Sequence, residues 1–325
     1  MIAGMVWDKP CSVGELPYGA HIGTQVLHHI VPGLRVMWWT GEDVNLRVGQ
    51  WDVYIVNLFR GMRHVEQIRA AQPDAKIVAL PDDYFDGTFN GRYTDDALLF
   101  IRQLQAADAI GYVSESNRQF YSAFGKPMVK IPIAMGTDNF FDAMRRLPKD
   151  DLLLTIDHSP RDPEYTIQNV ATCAMIQKRT GVEVIYVNPG PETEQYADAL
   201  GLKATYYPKM GYEDFVRLAA RARIGVDMYA LHGYGRNELT LGGVGTPCVG
   251  GNLSHTTLFP TLDPWYVQDA ADAGCTLLTD ARAWSVLRDR GLERAADHSF
   301  ERARLDMQQA LQFIEVELCH SRQLS

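Results

Sequence analysis

The stretch "LHGYGRNELTLGGVGTPCVGG" spans residues 231–251 and contains seven glycines. It follows the apolar run "ARIGVDMYA" (222–230) and ends in a second one, "PCVGG" (247–251). Glycine is costly to order and weak inside helices, so a concentration of it needs a physical reason. Either the backbone here must approach a ligand closely, or the segment is a loose loop. The apolar runs on its two sides are the starting point for the fold.

Short apolar runs alternate with amphipathic segments along the whole chain. Runs of four to six apolar residues flanked by Gly, Pro or Asp are typical of strands buried on both faces, and their alternation with helices indicates parallel sheets of βαβ units. The predicted strands are "MIAGMVW", "LRVMWWT", "DVYIVNL", "KIVALP", "AIGYVS", "MVKIPIAM", "LLLTID", "VEVIYV", "ATYYP", "IGVDMY", "PCVGG" and "CTLLT". The predicted helices include "GMRHVEQIRAAQP", "DDALLFIRQLQAAD", "SNRQFYSAFG", "YTIQNVATCAMIQKRTG" and "YEDFVRLAARAR".

The length of the chain predicts two domains. A single core rarely organises 325 residues, and the polar, proline-containing segment "DAMRRLPKDD" (142–151) separates six predicted strands from six. The sequence therefore predicts an α/β fold with a Rossmann-like domain over 1–145 and a second one over 146–300, facing each other across a cleft. The last amphipathic segment, within 301–325, is expected to be a helix that crosses back onto the first domain.

Composition limits the class of protein. A hydrophobic content of 46% with 22% charged residues is typical of a soluble globular protein. No apolar run reaches the roughly 20 residues that span a bilayer, and "MIAGMVWDKPCS" lacks the basic start and long apolar core of a signal peptide. The five cysteines are scattered and odd in number, which favours a reducing compartment over disulfides or a zinc site. We therefore expect a cytoplasmic protein without stable membrane association.

The charge balance argues against a broad nucleic-acid footprint. The formal net charge is −9, whereas proteins that cover nucleic acid are usually basic. Four arginines nevertheless fall within one quarter of the chain, at Arg60, Arg63, Arg69 and Arg92. They form either a local basic patch or an ordinary solvated surface.

The glycine-rich stretch is placed where an open parallel sheet binds ligands. It follows a predicted strand, and ligands of such sheets lie at the carboxyl ends of the strands. A helix that starts near Arg236 or Asn237 would present free backbone N–H groups and a partial positive charge to an anion. The preceding Gly235 would let a diphosphate approach the main chain, and Arg236 would neutralise charge. The segment is neither a Walker loop nor a dinucleotide fingerprint.

The second half of the chain resembles the donor domain of GT-B glycosyltransferases, in particular the large retaining group that uses nucleotide sugars (family 4-like). Tyr234-Gly235 stands ten residues before "GTPCV" (245–249), as a Phe-Gly turn stands before a Gly-x-Pro strand in that group. The segment "IPIAMGTDNFF" (131–141) is similar to the family's interdomain linker, and "ADAIGYVSESNRQFYSAFG" (107–125) to the strand and helix before it. The resemblance extends over roughly residues 75–300.

One departure from the family concerns the two glutamates that it carries eight positions apart. At these positions the chain has His232 and Thr240. The second glutamate holds the donor ribose in the family, so Thr240 is expected to make a shorter, single contact. Glu238 lies two residues earlier, roughly 200° around a helix, and should face elsewhere unless the loop is shifted. His232 would lie near the transferred sugar; the alternative is a capping or core histidine.

The resemblance also implies the other wall of the donor pocket. "TIDHSPRDPEY" (155–165) falls where the family places a basic residue against the diphosphate, which indicates Arg161, with Ser159 as a hydroxyl donor. A surface salt bridge is the alternative for Arg161. "YYPKMGYEDF" (206–215) falls where the family meets the nucleobase, so Tyr207 and Lys209 are expected at its edge. The alternative for the tyrosines is that they are core residues.

In the first domain, "KIVALPDDYFDG" (76–87) is similar to a family strand that ends in His-Asp. Asp82 or Asp83 would orient an acceptor hydroxyl or act as general base. The alternatives are a metal site, although the Asp-x-Asp spacing is missing, and a turn cap. The glycine-rich loop "SVGELPYGAHIGTQ" (12–25) matches the family loop that meets both substrates, which indicates Gly14 and His21.

The resemblance predicts a glycosyltransferase of the hexosyltransferase type that moves a sugar from a nucleotide-sugar donor, a UDP-sugar by expectation, to a hydroxyl acceptor. The resemblance implies that the anomeric configuration of the sugar is retained and that catalysis needs no bound metal or other cofactor. The acceptor remains open among a soluble glycan, a small molecule, a protein and a hydroxylated DNA base, as in phage-type modification. Two alternatives are a nucleotide-sugar epimerase of the same architecture and a non-enzymatic two-lobed binding protein.

Overall fold

The computed structural model describes most of the chain. The described residues are 1–7, 22–23, 27–38, 51–58, 63–81, 94–113, 115–135, 139–157, 163–228, 236–250 and 267–320. Their contacts divide the chain into two compact units. The first unit contains the described residues of 1–136 and 298–325, and the second contains those between them that begin with Asn139 and end with Asp297.

The first unit is built on a parallel sheet of six strands in the order β3-β1-β4-β5-β6-β7. Its strands are β1 (Ala3–Trp7), β3 (Arg35–Trp38), β4 (Val53–Asn57), β5 (Lys76–Leu80), β6 (Ala109–Tyr112) and β7 (Met128–Lys130). A short antiparallel pair joins β2 (Ile22–Gly23) to β8 (Ala134–Met135). The helices are α1 (Leu27–Ile30), α2 (His64–Ala71), α3 (Thr94–Ala106) and α4 (Glu115–Tyr121), with a 3₁₀ turn at Ser122–Phe124.

The second unit is built on a parallel sheet of five strands in the order β11-β10-β9-β12-β13. Its strands are β9 (Asp150–Ile156), β10 (Glu183–Val187), β11 (Ala204–Tyr207), β12 (Ala222–Asp227) and β13 (Cys248–Gly250). Its helices are α5 (Asn139–Arg145), α6 (Pro163–Thr180), α7 (Thr193–Leu200), α8 (Tyr212–Arg221), α9 (Arg236–Gly243), α10 (Val267–Thr279) and α11 (Ala281–Ala296). The order is the doubly wound Rossmann order.

The final helix, α12 (Phe300–Ile314), belongs to the first unit and continues as a π-helical segment over Glu315–His320. Ser299 caps its start by accepting a hydrogen bond from the N–H of Arg302 at 3.3 Å. The buried stripe of α12, which includes Met307 and Ile314, recurs at helical spacing, and the helix packs against α1, β7 and β8. The stripe is apolar because it faces the unit's interior.

The structure confirms the predicted α/β class with two Rossmann-like domains, because both sheets are parallel and each is built from alternating strands and helices. The contact division falls at 136/137, so that α5 belongs to the second unit, whereas the sequence placed 1–145 in the first domain. One predicted strand is wrong: "CTLLT" (275–279) forms the end of α10. That helix buries Ala270, Ala271, Gly274 and Leu277, and a short apolar run does not distinguish a strand from the last turn of such a helix.

Helix α9 is held in place by a close contact between two glycines. A Cβ built on Gly291 of α11 would lie 3.0 Å from the Cα of Gly242 on α9, and a Cβ on Gly242 would lie 3.1 Å from the Gly291 carbonyl oxygen. The two backbones therefore approach as closely as residues without side chains allow. This contact fixes the position of α9, whose first residue is Arg236.

The opposite end of α9 is capped by the side chains of Arg145 and Lys149. Arg145 Nε donates to the carbonyl oxygen of Gly243 at 2.7 Å, and Lys149 Nζ donates to that of Val244 at 3.3 Å and to the hydroxyl of Thr246. The last carbonyls of a helix lack partners within the helix and carry partial negative charge, so both contacts are favourable.

The free energy of unfolding should rise with pH above neutrality because of Lys149. Burial, followed by the charges of Arg223 and Arg288, lowers the pKa of Lys149 from 10.5 to about 7. Between these values the unfolded chain binds more protons at this residue than the folded one, so stability increases as pH rises from 7 towards 10.5. We expect Lys149→Met to flatten this rise in denaturant titrations. The control Lys178→Met, at an exposed position on α6, should retain it.

Candidate functional site

In the sheet of the second unit, β10 and β11 lie on one side of β9, and β12 and β13 lie on the other. The strand order therefore reverses between β9 and β12. Ligands of doubly wound folds bind outside the carboxyl ends of the strands at such a switch point. Three segments follow these strand ends directly: 158–162 after β9, 229–235 after β12 and 251–266 after β13. We therefore take the carboxyl ends of β9, β12 and β13, with the start of α9, as the candidate site.

Two buried carboxylates lie at the start of α9. Asn237 Nδ2 donates to Asp227 Oδ2 at 3.2 Å and so ties the first turn of α9 to the end of β12. Glu238 is directed towards the end of β13, because a Cβ on Gly250 would collide with Glu238 Oε1 and lie 3.1 Å from the Asp227 carbonyl oxygen. Burial, followed by these two carboxylates, raises the pKa of the Cys248 thiol.

Thr240 faces a different neighbour from Glu238. Its side chain is buried, and its hydroxyl shares a 3.2 Å hydrogen bond with the hydroxyl of Tyr212 on α8. The 200° separation expected from the sequence is therefore reflected in the contacts of the two residues. Of these two side chains, that of Glu238 reaches the carboxyl edge of the sheet, where it lies against β13.

A third buried carboxylate, Asp157, organises the end of β9. Its Oδ1 accepts from the Tyr186 hydroxyl at 2.7 Å, and its Oδ2 accepts from the N–H of Gly190 at 3.1 Å and from the Thr193 hydroxyl at 2.9 Å. Burial raises the pKa of Asp157, and these hydrogen bonds oppose the rise. Asp157 thereby joins β9 to β10 and to the start of α7.

Tyr207 and Lys209, which the resemblance places at the edge of the nucleobase, lie at the end of β11 and just after it. Tyr207 ends this edge strand with 41% of its surface exposed, so it is not a core residue, and Lys209 is also exposed. The Tyr207 carbonyl accepts from the N–H of Asn188 at 2.8 Å, and Asn188 Nδ2 donates to the Asp157 carbonyl oxygen at 2.8 Å. Asn188 has a positive φ of 56°, which asparagine tolerates better than most residues.

Most of the other predicted site residues lie outside the described part of the chain. Of Arg236 only the backbone is described, as the first residue of α9. Asp82 and Asp83 follow β5 and the buried Pro81 directly in sequence. The residues outside the described ranges are Gly14, His21, Asp82, Asp83, Ser159, Arg161, His232 and Gly235.

One of the arginines grouped in the sequence, Arg69, has a structural role. Arg69 forms an ion pair with Asp108 at 2.6 Å and donates to the carbonyl oxygens of Pro73 and Ala75 at 3.0 and 2.7 Å. It therefore fastens the connection between α2 and β5. Arg63 is exposed immediately before α2, while Arg60 and Arg92 lie outside the described residues.

Sequence reasoning missed Asp157 and Asp227 as members of the site. Each is a single acidic residue at the end of a predicted strand, in "LLLTID" and "IGVDMY". That position was the available signal, because a carboxylate directly after an apolar strand reaches the carboxyl edge of a parallel sheet.

Cys173, Cys248 and Cys275 are free thiols, and the first two are buried. Within the described ranges, no helix combines the length and the apolar character needed to cross a bilayer.

Similarity to solved structures identifies the fold. OtsA, a trehalose-6-phosphate synthase, matches with a TM-score of 0.66 at 10% identity over 80% of this chain and 72% of its own. Sucrose-phosphate synthase from Thermosynechococcus elongatus matches with 0.65 at 14% identity over 82% and 74%. A TarM variant from S. aureus, in complex with fondaparinux, alpha-GlcNAc-glycerol and UDP, matches with 0.62 at 10% identity over 79% and 55%. The chain thus spans about half of TarM.

These structures are GT-B glycosyltransferases, and the fold of this chain is accordingly GT-B, with two Rossmann-like domains. No protein-family model matches the sequence, and no curated protein matches it.

Proposed function

We propose that the chain is a glycosyltransferase that transfers a sugar from a nucleotide-sugar donor to a hydroxyl group. The observation that carries the proposal is the position of α9, which begins directly after the segment that leaves β12 at the switch point. In a GT-B fold this position supports a diphosphate site, because the first N–H groups of a helix and its dipole attract an anion. A departing nucleoside diphosphate would be stabilised in the same way.

The proposed donor contacts combine the start of α9 with residues that the resemblance indicates. Backbone N–H groups at the start of α9, with Gly235 and the side chain of Arg236, hold the diphosphate from one side, and Ser159 and Arg161 hold it from the other. Tyr207 and Lys209 border the nucleobase. The UDP bound in the TarM structure supports UDP-sugar as the donor. Retention and catalysis without a metal are parts of the proposal that rest on the resemblance alone.

Glu238, rather than Thr240, contacts the ribose of the donor in this proposal. A carboxylate accepts hydrogen bonds from two neighbouring hydroxyls, which suits a ribose, and that of Glu238 lies beside the end of β13. The Thr240 hydroxyl already meets Tyr212 of α8.

The acceptor is held by the first domain, with Asp82 or Asp83 as the general base and with Gly14 and His21 nearby; His232 lies beside the transferred sugar. A soluble glycan, a small molecule and a hydroxylated DNA base are the acceptor classes. Arg69 has a structural role, so one fewer of the grouped arginines supports DNA as the acceptor. A cytoplasmic location completes the proposal.

A nucleotide panel tests the donor assignment. We expect UDP and UDP-sugars to raise the melting temperature, because a ligand that binds only the folded protein stabilises it by about 2.7 kcal/mol at a hundredfold excess over Kd. GDP and ADP series serve as matched controls for the base. The absence of a shift with every nucleotide would overturn the donor site, and release of a rearranged sugar without acceptor would indicate an epimerase.

A further inference from the structure

Asn169, on α6, joins two strands of the second sheet through its side-chain amide. Its Nδ2 donates to the carbonyl oxygen of Ile156 at 3.3 Å, and its Oδ1 accepts from the N–H of Met228 at 2.7 Å. The partners fix the orientation of the amide, since a carbonyl needs a donor and an N–H needs an acceptor. Asn169 is 2% exposed, and its contact with Met228 is buried.

The two partners of Asn169 lie at the switch point. Ile156 is the last residue of β9, and Met228 follows the last residue of β12. The final backbone pair between these neighbouring strands is Val226 with Thr155, so the amide of Asn169 bridges the strands just beyond the end of their own ladder. The segments 158–162 and 229–235 begin within two residues of this bridge.

Removal of the amide would take a hydrogen-bond partner from two backbone groups, the buried N–H of Met228 and the part-buried carbonyl oxygen of Ile156. Met228 is fully buried, and its N–H would lose its acceptor next to the start of 229–235. Buried backbone groups are nearly always paired, so the strand ends would separate or shift until other partners were found. This shift would occur at the strand ends from which the two segments with the proposed diphosphate contacts begin.

We propose that Asn169 is a positioning residue for the diphosphate site. It holds together the ends of β9 and β12, from which the chain continues into 158–162 and, through 229–235, into α9, and it does not contact the ligand. The inference rests on the proposed function, and it adds a residue that neither the sequence motifs nor the resemblance indicates. Displacement of a binding group by about 1 Å is enough to cost up to a hundredfold in activity, so a bridge at the root of both segments has a large effect.

The chain contains a matched control on the same helix. Gln177, eight residues after Asn169, also bridges two strands through a side-chain amide: Nε2 donates to the carbonyl oxygens of Val182 and Lys203 at 3.2 and 2.7 Å, and Oε1 accepts from the Lys203 N–H at 2.8 Å. Val182 and Lys203 precede β10 and β11, so this bridge lies at the amino edge of the sheet. The chemistry is the same, and the candidate site is at the other edge.

The experiment compares Asn169→Ala with Gln177→Ala in the full chain. Denaturant titration measures the stability of each variant, and calorimetric titration with UDP, GDP and ADP measures nucleotide affinity of the folded protein. We expect both variants to lose stability, but only Asn169→Ala to raise Kd, by about tenfold or more. Gln177→Ala should remain within twofold of wild type. Asn169→Asp, which retains the acceptor for Met228 and loses the donor to Ile156, should also raise Kd and serves if the alanine variant fails to fold.

The outcomes separate this inference from the proposed function. If the wild type binds a nucleotide and the Asn169 and Gln177 variants bind it equally well, the positioning role is overturned while the donor site stands. If the wild type binds no nucleotide, the donor site and this inference are overturned together. Hydrogen exchange gives a second readout: the Met228 amide should exchange faster in Asn169→Ala than in Gln177→Ala, and equal protection in both would contradict the role of the bridge.

Discussion

Glu238→Gln should weaken donor binding by about 10- to 100-fold, because hydrogen bonds to a charged group contribute about 1.5–3 kcal/mol and about 1.4 kcal/mol corresponds to a factor of ten. The glutamine keeps the shape that fits over Gly250, removes the charge and replaces one acceptor oxygen by an NH2 donor. Its stability should therefore stay close to that of the wild type. The measurement is the Kd of UDP by calorimetric titration, with the KM of the donor once an acceptor is known.

Tyr212→Phe is the control for this prediction, because it removes a hydroxyl on the side of α9 that faces α8. It should cost about 1 kcal/mol of stability, the typical net contribution of a hydrogen bond, and leave the affinity for UDP unchanged. A larger loss of affinity in Thr240→Val than in Glu238→Gln would contradict our assignment. The ribose contact would then lie at the position that the resemblance indicates.

Gly291→Val should lower the free energy of unfolding by about 3 kcal/mol, at the upper end of the range for overpacked interiors. The obstacle is the backbone of α9, since the Cα of Gly242 would lie 3.0 Å from the new Cβ. A backbone cannot rotate away as a flexible side chain can. The two helices must separate instead, and that movement displaces the start of α9. We therefore expect a loss of UDP affinity together with the loss of stability.

A graded series makes this prediction specific. Gly291→Ala should be less damaging than Gly291→Val, because a single methyl group requires a shift of only a few tenths of an ångström. Ala296→Val, at an exposed position of the same helix, should cost no more than the difference in helix propensity, about 0.7 kcal/mol at most. Chemical denaturation measures all three. Equal losses in the series would show that the glycine contact does not limit the packing of α9 on α11.

The sequence was sufficient for the fold because the fold depends on a repeated pattern. Apolar runs such as "LLLTID" and "VEVIYV" became β9 and β10, and the helical spacing of "YTIQNVATCAMIQKRTG" became α6. The pattern failed at "CTLLT", where five residues are too few to separate a strand from the last turn of α10. The contact division lies at 136/137, and the polar segment that the composition indicates spans 142–151.

The site was only partly accessible from the sequence. The glycine-rich stretch correctly indicated a helix that begins near Arg236, because such a helix needs a turn before it and an apolar strand after it. Helical geometry predicts that Glu238 and Thr240 lie on different faces of the helix. It does not predict which residues each of them contacts. Tyr212 is 28 residues away from Thr240, and the partner of Glu238 at the end of β13 is known only once the strands are in register.

The sequence by itself determined the α/β class, the two Rossmann-like domains and the start of α9, because each of these depends on local periodicity and on residues adjacent in the chain. Only the tertiary structure decided which polar groups meet at the switch point. Asn169 lies 13 residues from Ile156 and 59 from Met228, and it bridges them because the sheet order places β9 beside β12. The order of strands in a sheet depends on packing between segments that are distant in the sequence. A local pattern of residue types therefore does not predict it.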